Sequence, residues 1–280
     1  NKKERTHNPE AEDLYLRGRF LMRRNWTEYL FEASQLLERA YVQAGDDSRI
    51  SGAYALSLAR TFGNPGVGPE TAEKARQVAD KTLEADPRQP EARVAIATLH
   101  LQHHEVDAAV RHFRQALAVA PNNIEALDWL GRIMAEVGRH QEGIKYLRQA
   151  YALDSNNLAP RYQIARIYSI LGNSSGMANE LGSLPSHPGD MALWTLLQAR
   201  DALWRKDAAS AERLMKLIEI TPELPETARF AMNQLLGVAL GTNSRAIERD
   251  VFDRMLPVDA SRTQRRAAFN AQIRAETAGA

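Results

Sequence analysis

Apolar and polar positions in this chain alternate with the period of amphipathic helices, and the helices come in pairs. Over residues 90–123 a first stripe carries Ile96, Ala97 and His100. A second carries Ala109, Phe113 and Ala116 before Pro121 stops it. The following residues repeat the pattern with Leu127, Leu130, Gly131 and Met134, then Gly143, Leu147 and Ala150. Ala97, Gly131 and Ala165 stand 34 residues apart, as do Pro87, Pro121 and Ser155. Small residues at fixed offsets let two helices approach closely, while the large ones fill the space between neighbouring pairs. A period of this length predicts stacked helix–turn–helix units.

The pattern extends in both directions. A further copy starts near Leu158 with Ile164, Ala165, Tyr168 and Gly172. There Ser174, Ser175, Gly176, Gly182 and Pro185 predict a short or irregular second helix. Another copy holds Trp194, Leu197, Leu214, Leu217 and Pro222, and a last one runs from Pro225 to Pro257. Toward the N-terminus, Gly18 and Leu21 pair with Ala33, Leu37 and Ala40, and extra residues fall around 25–27. Ala53, Tyr54, Leu58 and Ala59 pair with Ala75, Ala79 and Leu83 across a glycine- and proline-rich loop at 63–69. The expected organisation is a polar leader or linker at 1–10, about seven hairpins, and a capping helix and tail at 259–280. The hairpins are expected at 11–47, 48–89, 90–123, 124–157, 158–190, 191–224 and 225–258. No strand pattern interrupts them, so the fold class is all-α.

Composition narrows the function more than the fold. The 280 residues carry a formal net charge of +1, so no global field points to nucleic acid or an anionic membrane. There are no cysteines, which excludes disulfides, thiol catalysis and cysteine-ligated metal. No window approaches the length of apolar sequence that a membrane span needs, so no membrane insertion is expected. The chain opens on polar residues without a methionine and reads as a piece of a longer protein.

The offsets of small and large residues resemble the tetratricopeptide repeat over nearly the whole chain. Ser155 in place of a terminal proline and Gly143 in place of alanine depart from its pattern. The resemblance implies a right-handed superhelical solenoid of helix–turn–helix hairpins with a C-terminal capping helix. A narrower resemblance lies in residues 8–21, followed by Arg23-Arg24 and the extra residues, and in the glycine/proline insertion. These are similar to the start of the C-terminal repeat domain of bacterial winged-helix activators of the CadC/HilA type and of related adenylate cyclases and kinases. That resemblance implies a regulatory domain in signal transduction or transcription regulation, in the bacterial cytoplasm, or in the periplasm if a membrane span lies upstream.

A helical-hairpin solenoid offers a concave surface lined by the first helix of each unit. In four units the residue after the small Gly or Ala is arginine: Arg19, Arg60, Arg132 and Arg166. One turn earlier stand Tyr15, Leu56, Asp128 and Tyr162. Guanidinium offers a planar fork of donors that fits carboxylate, and tyrosine a flat contact surface. Tyr15, Arg19, Arg60, Asp128, Arg132, Tyr162 and Arg166 are therefore the expected binding row for an acidic or C-terminal-carboxylate peptide. The competing reading is intramolecular: Asp128 and Arg132 are spaced to pair on one helix, and Glu12 and Glu125 are placed to neutralise others.

Other chemistry is poorly supported by the pattern. His100 and His104 have a spacing that can hold a metal, but no acidic third ligand shares their face, and no cofactor is expected. The arginines at 262, 265, 266 and 274 read as a solvated capping face rather than a nucleic-acid patch. Gly63, Gly66 and Gly68 form no phosphate loop. No nucleophile, base and acid share a supporting motif, so the chain is not expected to be an enzyme. The expected function is binding of a protein or peptide partner, or of a second copy of the chain, in the groove. A small-molecule sensor with a pocket near 174–189 and a structural adaptor in an envelope or secretion assembly are the alternatives.

Overall fold

The structure is a computed structural model. It describes residues 8–23, 27–62, 64, 67–182 and, between 194 and 219, all but residues 196, 200, 203, 204 and 206. The expected hairpin at 225–258 and the capping helix at 259–280 lie outside the described residues.

Among the described residues eleven helices are defined: α1 (Pro9–Arg23), α2 (Thr27–Ala44), α3 (Ser48–Thr61), α4 (Pro69–Ala85), α5 (Pro90–Gln102), α6 (Val106–Val119), α7 (Ile124–Glu136), α8 (His140–Leu153), α9 (Ala159–Ile170), α10 (Ser174–Leu181) and α11 (Ala208–Glu219). Described residues between 194 and 202 are helical as well, and no described residue is in a strand. No helix among the described residues is long and apolar enough to cross a membrane. The protein is a solenoid of consecutive helical hairpins. Its contacts divide into two units, Asn1–Pro160 and Arg161–Ala280, with the division inside the first turn of α9.

In the first unit the two helices of each hairpin pack together, α2, α4 and α6 each pack on the first helix of the next hairpin, and α3 lies directly beside α5. One core runs through it, built from alanines (Ala33, Ala53, Ala75, Ala97, Ala109) and larger residues including Leu37, Tyr54, Phe113 and Leu130. Gly131 and Gly143 bring α7 and α8 into near contact. A Cβ on Gly143 would lie 2.7 Å from the Gly131 carbonyl oxygen, closer than any side chain tolerates.

Helix ends follow local chemistry. Asp47 caps α3 by accepting from the Arg49 amide at 2.9 Å, and Asn123 caps α7 by accepting from Ala126 at 2.9 Å. Pro69 and Pro90 open α4 and α5, where a missing amide hydrogen costs nothing. Three hairpins turn on a shared device. His104, Gly138 and Gly172, 34 residues apart, take left-handed φ values of 61°, 81° and 69°. The amides of Glu105, Arg139 and Asn173 then donate at 2.8 Å to the carbonyls of His100, Met134 and Tyr168. This closes each first helix in the same way.

In the second unit α10 has only 8 residues, as its serines and glycines predict. Trp194 is buried, and its indole nitrogen donates to the Leu181 carbonyl at 3.0 Å. Leu217, grouped with the apolar stripe from sequence, is instead half exposed on α11.

Candidate functional site

One position shapes the surface that the first helices present, the residue after the small one. It is Arg19 in α1, Arg60 in α3, Arg132 in α7 and Arg166 in α9. In α5 it is Thr98, which is buried and donates to the Val94 carbonyl at 2.9 Å. Seven residues earlier, α1, α5 and α7 carry Glu12, Glu91 and Glu125.

The two sets meet across the first unit. Arg19 Nη1 lies 2.9 Å from Glu91 Oε1, so α1 reaches past α3 to α5. Arg60 Nη1 lies 2.5 Å from Glu125 Oε1, so α3 reaches past α5 to α7. The same nitrogen donates to the Met22 carbonyl at 3.1 Å, tying the end of α1 into the array. Glu12 instead accepts from Arg49 at 2.8 Å, and Arg49 also holds Asp47 at 2.8 Å. The buried Tyr15 ring lies 5.7 Å from the Arg19 guanidinium and 5.3 Å from that of Arg49. Its hydroxyl accepts from Arg19 at 3.1 Å.

Asp128 and Arg132 pair along α7 at 2.7 Å, and the Arg132 guanidinium lies 5.1 Å from the Trp129 ring. Asp128 is 9% exposed, and its Oδ1 has no hydrogen-bond partner among the described residues. Burial pushes its carboxyl above the usual aspartate range, and Arg132 opposes that shift. In the second unit, the Tyr162 ring lies 5.9 Å from that of Trp194, and Arg166 Nε donates to Gln163 at 2.9 Å.

A cavity of about 440 Å³ opens among the first helices of the first unit. Leu56 and Ile124 supply apolar wall, and Arg19, Arg60, Glu91, Glu125 and Asp128 supply charge. Of the seven residues expected from sequence, Arg19, Arg60 and Asp128 line this cavity. Tyr15 lies against Arg19, and Arg132 is bonded to Asp128. Tyr162 and Arg166 belong to the second unit. Glu91 was not anticipated. Its signal was its spacing of 34 residues from Glu125, both being the second residue of their helices.

His100 and His112 pack together, while His103 and His104 are exposed. His100 pairs with Glu105 and stacks on His112 with ring centroids 5.4 Å apart. Burial holds His112 below its ordinary value, and neighbouring His100, Arg93, Arg76 and Arg111 add to the effect. Among the described residues, no group of three or more histidine and acidic side chains is arranged to hold a metal ion.

Comparison with known proteins agrees with this architecture. Residues 90–178 match the profile of the TT21 fifth ARM repeats domain. Cellulose synthase operon protein C of Pseudomonas fluorescens (strain SBW25) is 25% identical over 162 residues, 58% of this chain. The chain spans 11% of that relative's length. A tetratricopeptide repeat protein from Parabacteroides merdae superposes with a TM-score of 0.60 at 12% identity, covering 93% of this chain and 97% of that one. PilW, a type IV pilus biogenesis factor, gives 0.55 at 16%, covering 79% and 98%. Yeast Tom70 gives 0.55 at 17%, covering 91% and 55%. At these identities the likeness is one of fold. The matched profile and the repeat-protein structures indicate no catalytic family, and helical-repeat proteins of this kind serve as protein-interaction scaffolds.

Proposed function

We infer that this protein binds a segment of a protein partner in the cavity formed by the first helices α1, α3, α5 and α7. The cavity itself carries the reading. At about 440 Å³ it is large enough for a few side chains, and its lining mixes apolar wall with guanidinium and carboxylate groups. Arg19 and Arg60, two of the three arginines on that lining, suit a segment that presents carboxylates. Tyr15 supports Arg19, and Asp128 with Arg132 extends the polar lining along α7. Tyr162 and Arg166 offer the same residue types on the second unit by itself. A role in bacterial signalling or transcription regulation is supported by the resemblance of residues 8–21 to the repeat domains of CadC/HilA-type activators.

The test is quantitative co-purification from the native host with the wild-type chain, Arg19→Ala/Arg132→Ala and, separately, Arg166→Ala. A partner held by the wild type should fall at least tenfold with the double variant while far-UV circular dichroism stays unchanged. A partner held equally by both would move the binding surface away from this cavity. Loss with Arg166→Ala would add the second unit to the binding surface.

A further inference from the structure

Resting on that reading of the cavity, we propose that Glu91 and Glu125 are built-in competitors for its carboxylate-bearing ligand. They occupy Arg19 and Arg60 when the cavity is empty and yield to the ligand when it binds. Three observations carry this.

The first is geometry. Neither ion pair lies inside a hairpin interface. Each joins first helices two hairpins apart, Arg19 of α1 to Glu91 of α5 and Arg60 of α3 to Glu125 of α7. All four residues line the one cavity. An incoming carboxylate therefore meets these guanidiniums with a protein carboxylate already on them.

The second is access. Arg19 keeps 33% of its side chain exposed and Glu125 keeps 31%, so one member of each pair can be approached from the cavity. Each pair is thus held tightly at one end only, and at its more exposed member water and an incoming group can compete for the charge. Asp47 and Glu12 hold Arg49 differently, with two carboxylates converging on one guanidinium outside the cavity lining.

The third is where a displaced glutamate would go. Glu91 and Glu125 are each the second residue of a helix, within the first turn of α5 and α7. The unpaired amides of a helix N-terminus favour a negative charge there. Each carboxylate released from arginine stays in a favourable field, which lowers the cost of exchange. The arginines stay fixed meanwhile: Tyr15 accepts from Arg19, and the Met22 carbonyl accepts from Arg60.

The experiment measures fluorescence anisotropy of a labelled hexaglutamate with a free C-terminus, titrated with the 280-residue chain at low ionic strength. Four proteins are compared: wild type, Glu91→Gln/Glu125→Gln, the same with Arg19→Gln/Arg60→Gln added, and Glu73→Gln/Glu84→Gln. The last removes two exposed acids of α4 and makes the same change in net charge. Glu91→Gln alone is measured beside them, since it leaves the more buried Arg60 pair intact, and circular dichroism melts establish that each is folded. The expected result is at least tenfold tighter binding by Glu91→Gln/Glu125→Gln, a smaller gain by Glu91→Gln, and loss of the gain when both arginines are removed. An equal gain from the α4 variant would overturn the proposal, since net charge alone would then explain it. Equal binding by wild type and Glu91→Gln/Glu125→Gln, abolished by removing the arginines, would overturn the competition and leave the cavity as the binding site. No binding by any folded variant would overturn both readings.

Discussion

Backbone conformation at single residues shows how strictly the repeat is enforced. His104, Gly138 and Gly172 hold one turn position in three successive hairpins, all with positive φ. A β-carbon in the left-handed region crowds the following carbonyl, at a cost of about 1–2 kcal/mol that glycine avoids. Glycine also loses more freedom on folding, which returns roughly 0.5–1 kcal/mol of that difference. His104→Gly should therefore stabilise the protein by about 0.5–1 kcal/mol. Urea denaturation of the variant beside the wild type checks this, and an unchanged midpoint would mean that the exposed imidazole makes a compensating contact. Gly172 entered the sequence pattern as part of its repeat, whereas Gly138 was not singled out. The histidine was grouped with a metal-site spacing instead, because its side chain chemistry hides a backbone requirement.

Among the elements, α7 and α8 meet closely where Gly131 and Gly143 face each other. The sequence pattern showed that small residues recur there. It did not show that a methyl group on Gly143 would strike a backbone oxygen, at 2.7 Å, rather than a movable side chain. Backbone cannot step aside without moving the helix. Gly143→Ala should thus lower stability by about 1–2 kcal/mol, an overpacking cost of roughly 1–3 kcal/mol reduced by alanine's better helix propensity. Thermal melts followed at 222 nm would register it as a lower midpoint. Amphipathic stripes made most helices of the first unit legible, because burial of one face every 3.6 residues is a local signature. The pairing of Arg19 with Glu91 was not, since it depends on helices two hairpins apart being within one side chain's reach.

At the scale of the molecule, the chain's contacts separate near residue 160. One core cluster, Ala11 to Met134, lies entirely within the first unit. Residues 1–157 should accordingly fold without the rest and melt cooperatively, because a repeat stack draws its stability from nearest neighbours. A broad, probe-dependent transition for that fragment would show that the second unit is required. The cavity lies within this fragment as well, so binding and folding can be tested on the same material. Helix order, the hairpin period and the arginine row follow from residue spacing alone, since each is a local periodicity written along the chain. Which carboxylate meets which guanidinium is a different kind of fact. Glu91 and Glu125 repeat each other in sequence, yet their partners come from helices whose proximity arises only when the hairpins stack. Long-range charge pairing depends on distance in space, and that distance exists only in the folded protein.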